Sequence, residues 1–262
     1  MIFCFSGNGN SLCVARSLGR KLDEDITQIT ASTPGALDAR EWRRVVWVFP
    51  VYSWGMPAPV KRFIRTVSLD GLPSRATHHL VLTCGDDTGL AHRTWRNAVR
   101  KRGWLPKGSY SVIMPNTYVT LPGFDTDSPS LTVRKLDMME ERVEHIARCI
   151  RHDARVDDVV RGKFAWLKTR VLYPLFMELL TSSKPFRVSD NCVKCGLCAK
   201  GCPMENISLD ADGLPRWGQN CAMCLRCLHR CPAKAIDYGP FTRGKGRYPG
   251  PDKALREYDP GR

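Results

Sequence analysis

The sequence predicts an α/β fold, a doubly wound five-stranded parallel sheet followed by a small α+β unit. Three observations carry that expectation. Short apolar runs alternate with amphipathic helical stretches over residues 1–155; loops rich in Gly, Ser, Asn and Pro follow the apolar runs; and eight of the twelve cysteines crowd into two short segments near the end. Strands that alternate with helices argue for a parallel sheet covered on both faces, and such sheets take ligands at the carboxyl ends of their strands.

Strands are expected at "MIFCF", near "ITQI", and at "RRVVWVF", "HHLVLTC" and "SYSVIM". Helices are expected at "SLCVARSLGRKL", "APVKRFIRTV", "LAHRTWRNAVRKR" and "VRKLDMMEERVEHIARCI". After the first strand stands Ser6-Gly7-Asn8-Gly9-Asn10-Ser11. Its glycines allow tight backbone geometry, its side chains offer donors, and the N–H groups opening the next helix face the same point. The loop lacks the Lys of a P-loop and the G-x-G-x-x-G of a dinucleotide fold, and suits one terminal phosphate. After the third strand, Tyr52 and Trp54 sit between Pro50 and Gly55, where aromatics can wall a planar ring. Thr83-Cys84-Gly85-Asp86 opens the loop after the fourth strand, and "MPNTYVTLPG" follows the fifth. Each loop alone reads as ordinary turn chemistry; all four falling at strand carboxyl ends points to one ligand site.

Taken together, the Ser6–Ser11 loop resembles the phosphate loop of flavodoxins, and Tyr52 and Trp54 resemble their flavin-stacking loop. The Thr83 loop falls where flavodoxins place a second flavin-flanking loop. The resemblance implies non-covalent FMN. Asn8 departs from it, standing where flavodoxins favour a hydroxyl residue, although an amide can also donate.

The strongest signal is a repeat. "CVKCGLCAKGCP" (192–203) and "CAMCLRCLHRCP" (221–232) are two copies of C-x2-C-x2-C-x3-C-P, the spacing of bacterial two-cluster ferredoxins. A zinc site would use two C-x2-C pairs and has no need of the third cysteine or the closing C-P. The resemblance implies two [4Fe-4S] clusters, each taking its fourth ligand from the other motif. One set is then Cys192, Cys195, Cys198 and Cys231, the other Cys202, Cys221, Cys224 and Cys227. Of the remaining cysteines, Cys4, Cys13 and Cys149 read as small buried or helical side chains. Cys84 falls beside the expected flavin with no partner adjacent in sequence, and a structural role is expected for it too.

These features divide the chain into an FMN-binding domain (1–155), a connector (156–184), a dicluster domain (185–240) and a basic Gly/Pro-rich tail (241–262), expected to be loosely ordered and to lie over the surface of one domain or the other. The connector mixes Phe164, Trp166, Tyr173 and Phe176 with Lys163, Lys168 and Arg170. It reads either as a helix lying on a membrane or as a link whose apolar face packs between the domains. Pro174, which interrupts the stripe, favours the link.

Composition bounds the rest. The chain has 262 residues, 43% of them hydrophobic, enough for a real core. Its longest apolar stretch, 171–180, is too short to span a bilayer. With no secretory pattern at the start, many cysteines imply metal ligation in a reducing compartment, so a cytoplasmic location is expected. The formal charge is +14, densest over 89–110. Two clusters and a flavin phosphate would remove about six charges and leave the protein basic, as suits acidic redox partners, a membrane surface, or simply a solvated face. Nucleic acid is not expected as a partner, and no triad, carboxylate pair or metal-binding histidine pair stands out.

The whole chain resembles the flavodoxin–ferredoxin fusions found mainly in anaerobes, which implies low-potential electron transfer between flavin and clusters. Two alternatives remain: a flavin-dependent reductase of a quinone-like acceptor fed by the clusters, and a ferredoxin carrying a flavin-free docking domain.

Overall fold

The computed structural model describes residues 1–259. In chain order, β1 (Ile2–Cys4) leads to α1 (Asn10–Leu22), β2 (Ile26–Gln28), β3 (Ala36–Asp38), β4 (Arg44–Pro50) and α2 (Ala58–Thr66). There follow β5 (Ser68–Asp70), β6 (Thr77–Cys84), α3 (Ala91–Lys101), β7 (Leu105–Ile113), α4 (Pro129–Arg151) and β8 (Asp157–Asp158). Six of these strands form one parallel sheet in the order β2-β1-β4-β6-β7-β8. Its first five members, counted along the chain, run 2-1-3-4-5, which is the flavodoxin-like winding. The order reverses between β1 and β4, so the loops after these two strands flank the crevice.

Alternation sorts the side chains. Phe3, Phe5, Val45, Trp47 and Phe49 face α2 and α3, where Val60, Phe63, Ile64, Trp95 and Val99 cover them. Ile2, Cys4, Val46 and Val48 face the opposite way, onto Val14 and Leu18 of α1 and Leu136, Val143 and Ile150 of α4. Both faces are dry, so the strands read as apolar runs rather than as apolar–polar alternation. The five expected strands and four expected helices are all present. The sixth strand, β8, is two aspartates long and had no apolar signal to announce it; Arg96 and Arg142 hold Asp157 and Asp158.

Short helical turns follow the sheet lobe: α5 (Ala165–Leu167), a π-helical stretch (Lys168–Leu172) and α6 (Tyr173–Leu179). The apolar face of this connector does not pack between the lobes, as the sequence led us to expect. Thr169 and Tyr173 turn inward and clasp the sheet lobe, while Phe164, Trp166, Leu167, Val171, Leu175 and Leu179 stay exposed. A π-helical register and Pro174 interrupt the regular helical stripe, and its apolar side chains turn to the surface instead.

The second lobe has two antiparallel ribbons. β9 (Phe186–Val188) pairs with β12 (Ile236–Tyr238), and β10 (Ile207–Leu209) with β11 (Pro215–Trp217); α7 (Leu197–Lys200) and α8 (Arg226–His229) complete it. Phe186, Met223, Leu225, Leu228, Ile236 and Tyr238 form its core, which also takes in Val119 from the sheet lobe. In return Met204 and Ala222 pack into the sheet lobe's core. The two lobes therefore share apolar interior.

The segment after residue 240 is not a loose tail through residue 259. Lys245 Nζ donates to the carbonyls of Val119, Leu121 and Phe124 at 2.6–2.7 Å. Tyr248 and Ala254 are buried in the core between α1 and α4, and α9 (Pro251–Tyr258) lies along α4. Its Gly/Pro composition serves defined turns, such as Gly250 at φ 90°, and not disorder.

Candidate functional site

The carboxyl ends of β1, β4, β6 and β7 open into a cavity of about 690 Å³, a size that suits a small ligand or cofactor. Ser6, Gly7, Asn8, Asn10, Ser11, Tyr52, Trp54, Thr83, Cys84, Gly85 and Asp86 all line it. Gly9 and Gly55 do not. Gly9 sits at φ 104° with its back to Pro251 and Arg230, and a Cβ on Gly55 would overlap the Tyr173 ring. Their lack of a side chain serves packing behind the loops.

The first loop is tied to the second lobe. Arg226 Nη1 donates to the Gly7 carbonyl at 2.8 Å, and Arg230 Nη2 to the Asn8 carbonyl at 3.1 Å. Asn8 Nδ2 donates to the Cys224 carbonyl at 3.0 Å. A Cβ on Gly7 would stand 2.7 Å from Cys224 Cβ, so the two backbones meet at a point where only glycine fits. Asn10 Nδ2 donates to Pro115 O at 2.9 Å while its Oδ1 accepts from the Tyr248 hydroxyl at 2.7 Å. The hydroxyls of Ser11 and Thr83 lie 2.7 Å apart. One N–H of each asparagine amide that the sequence offered to a ligand is thus committed to a protein carbonyl. Ser6, Ser11 and Thr83 line the cavity beside Asn8, whose buried Oδ1 has no hydrogen-bond partner.

The second loop is a tight turn. Tyr52 and Gly55 exchange backbone hydrogen bonds at 3.0 Å, and Ser53 and Trp54 both adopt left-handed conformations (φ 43° and 64°). Two non-glycine residues at positive φ mark stored strain. The connector holds the turn in place. Thr169 Oγ1 donates to Trp54 O at 3.0 Å, Tyr173 Oη to Met56 O at 2.6 Å, and Lys168 Nζ lies 5.0 Å from the Trp54 ring centre while pairing with Asp87. Burial, followed by the nearby Cys224 and Cys221 sulfurs, pushes the Tyr52 hydroxyl well above its ordinary pKa. Tyr52 is thus a neutral phenol between the cavity and the second cysteine motif.

The third loop is braced from behind. Lys135 Nζ donates to Gly85 O at 3.0 Å and to Asp127 at 2.7 Å, and Asp127 in turn accepts from Asn116. Burial, with Asp87 and Asp86 adding to it, pushes the Cys84 thiol up to about 12, so it stays protonated and unreactive near neutral pH.

Sequence reasoning missed the cavity's outer wall: Tyr118, Leu121 and Phe124 from the loop after β7, and Leu172, Leu175, Phe176 and Leu179 from the connector. That loop had been singled out without naming its residues. The connector's part had no local signal, because it depends on folding back across the sheet.

Two further small cavities lie in the second lobe. Cys192, Cys195, Cys198 and Cys231 line one; Cys202, Cys221, Cys224 and Cys227 line the other. All eight thiols are free. Each set surrounds a space and does not converge on a point: among the described residues, no group of three or more His, Cys, Asp or Glu is placed to hold one metal ion. Backbone N–H groups already point at sulfur, Asn206 to Cys202 at 3.4 Å, Met223 to Cys221 at 3.3 Å and Ala235 to Cys231 at 3.3 Å. Both motifs use the same backbone device, with left-handed residues two and four places after the first cysteine. These are Lys194 and Gly196 in one copy, Met223 and Leu225 in the other. Such turns aim successive N–H groups into a concavity suited to an anionic cluster.

Residues 191–236 match the family model of the 4Fe-4S dicluster domain. A search of curated proteins finds no match to the chain. Among solved structures, the Trp repressor binding protein from Bacillus subtilis is 14% identical with a TM-score of 0.35, over 54% of this chain and 97% of that one. Flavodoxin of Streptococcus pneumoniae TIGR4 is 14% identical with a TM-score of 0.33, over 55% and 97%. The NAD(P)H:quinone oxidoreductase from Methanothermobacter marburgensis is 12% identical with a TM-score of 0.38, over 58% and 96%. The strand order carries the fold assignment independently of these similarities. The chain therefore joins a flavodoxin-like α/β lobe to a 4Fe-4S dicluster domain, an iron–sulfur electron-transfer module. No helix among the described residues is long and apolar enough to cross a membrane.

Proposed function

We propose that the protein is a low-potential electron carrier coupling FMN, held at the strand ends, to two [4Fe-4S] clusters. The observation that carries this reading is the meeting of Gly7 with Cys224, which makes a loop of the second cysteine motif part of the crevice wall. Flavin exchanges one or two electrons, and each cluster exchanges one at a time. The chain's own residues supply placement. Arg226, Arg230 and Asn8 lock the two loops together, so the separation between the sites cannot drift. In this reading the hydroxyls of Ser6, Ser11 and Thr83 and the N–H groups opening α1 take the phosphate, and Trp54 and Tyr52 wall the ring. Cys202, Cys221, Cys224 and Cys227 hold the inner cluster; Cys192, Cys195, Cys198 and Cys231 hold the outer one. Tyr118, Phe124 and the connector keep water from the ring's far side.

Acid-released flavin, iron and sulfide on anaerobically purified protein test this. About one FMN and eight irons per chain are expected. Full iron with no flavin, even after adding the cofactor, would reduce the sheet lobe to a docking module, a role in keeping with the ties of Asn8 and Asn10 to protein carbonyls.

A second reading, a flavin-dependent reductase, is favoured by one feature: the cavity extends past the loops into an apolar compartment between Tyr118, Phe124, Leu175 and Phe176. Turnover of quinones that falls in Phe176→Arg at unchanged flavin content would support it; no turnover with any quinone would leave the carrier reading alone.

A further inference from the structure

We infer that the exposed face of the connector docks on an anionic membrane surface, with the mouth of the cavity turned toward the lipid. This inference stands on the connector's surface and does not depend on the flavin.

Large apolar side chains stand out of the protein here in unusual number. Phe164 is 78% exposed, Trp166 65%, Leu179 63% and Leu175 52%. They cluster within sixteen residues, whereas single exposed apolar residues elsewhere need no explanation. The same stretch is strongly cationic. Residues 161–179 contain Arg161, Lys163, Lys168 and Arg170 against a single carboxylate, the exposed Glu178. Asp87 occupies Lys168, but Arg161, Lys163 and Arg170 are exposed and form no ion pair among the described residues. Apart from Glu178, the acidic groups beside this stretch are already paired, Asp157 with Arg96, Asp158 with Arg142 and Asp87 with Lys168. Phe, Trp and Leu beside unpaired Arg and Lys match the composition of a segment lying in the headgroup region, where the rings sit at acyl depth and the cations meet lipid phosphate.

Charge also discriminates among occupants. A second copy docked through the same face would set Arg161, Lys163 and Arg170 against their own equivalents, with one Glu178 per copy to offset three free cations. An anionic bilayer supplies negative charge along the whole face and requires no shape complementarity. The cavity adds a reason for this orientation. Leu175, Leu179 and Phe124 line its interior and are also exposed, so its rim is apolar and opens on this side.

The test is sedimentation of the full-length holoprotein with phosphatidylcholine vesicles, with and without phosphatidylglycerol, at low and raised salt. Retention is expected on the phosphatidylglycerol vesicles and should fall as salt rises. The double variant Phe164→Ala/Trp166→Ala should weaken it by about tenfold or more, with the visible absorbance unchanged. Arg161→Gln/Lys163→Gln/Arg170→Gln should abolish the preference for phosphatidylglycerol. Brominated lipid should quench wild-type tryptophan fluorescence, which reports on the face without any substitution. Three results would overturn the inference: no retention on phosphatidylglycerol vesicles, retention indifferent to both variants, or, without lipid, a dimer or an acidic-protein complex that the Phe164→Ala/Trp166→Ala variant breaks.

Discussion

The two cysteine motifs share a spacing and a backbone conformation but occupy opposite surroundings. In the first, Val193 and Leu197 are exposed, as is Cys195, at the free end of the dicluster lobe. In the second, Ala222 is buried in the sheet lobe's core, and Met223 and Leu225 are buried in the dicluster core beside Val119 of the sheet lobe. Aligned position by position, Val193 answers to Ala222, Lys194 to Met223, Leu197 to Arg226, Lys200 to His229 and Gly201 to Arg230. The cysteines fix the ligand cavities, while the residues between them decide which cavity faces the crevice and which faces solvent. Alanine lets the second motif approach closely, methionine fills the seam, and the two arginines reach the first loop's carbonyls. Two motifs with near-symmetric cysteines are thus made structurally unequal by their spacer residues.

The comparison is most easily broken at the contact itself. Gly7→Val would force a branched side chain into the Cys224 backbone, and we expect a loss of about 2–3 kcal/mol or failure of the lobes to dock, read as a drop in melting temperature and in flavin content. Val193→Ala on the outer motif should change stability by less than about 0.5 kcal/mol. Next, Cys224→Ala and Cys195→Ala should each lower iron from about eight to about four per chain, but only the inner substitution should alter the flavin's visible spectrum. Equal spectral effects would dissolve the distinction between inner and outer clusters. Arg226→Ala should then cost on the order of 1–2 kcal/mol through the lost charged hydrogen bond to Gly7, whereas Leu197→Ala at the matching outer position should cost little; chemical denaturation measures both.

The smallest effect near neutrality concerns pH. Burial lowers the pKa of His78 to about 3 and of His92 to about 4, both in the sheet lobe. Above about pH 6.5 both forms of the chain leave these residues neutral. As pH falls, the unfolded chain takes up protons that the folded lobe refuses, so stability declines by about 1.4 kcal/mol per pH unit per histidine until the folded pKa is reached. Denaturation midpoints followed by near-ultraviolet dichroism should therefore fall from pH 6.5 towards 4. His78→Gln, which keeps an acceptor for the Trp47 indole, should flatten that slope.

Periodic and local features were legible in the sequence. Phe3, Phe5, Trp47 and Phe49 announce strands because each lies in a dense apolar run, and the cysteines state their spacing outright. Contacts across more than two hundred residues were not legible. Nothing near Asn8 says that its amide will meet the Cys224 carbonyl, or that Gly7 is small for the sake of a sulfur-bearing backbone. The tail misled because Gly and Pro are shared by disordered chains and by tight, fixed turns; only the burial of Tyr248 and Ala254 separates the two. The connector misled because its apolar residues were assumed to need protein to cover them.

Tyr248 and α9 bring the chain home to the lobe from which it started. The dicluster lobe is accordingly bracketed, leaving the sheet lobe through the connector and returning through α9, which fills the groove beside α4. During synthesis that groove stays open until all eight ligand cysteines have left the ribosome. Packing of α9 into the sheet lobe's core can therefore come only after the whole cysteine segment has been made.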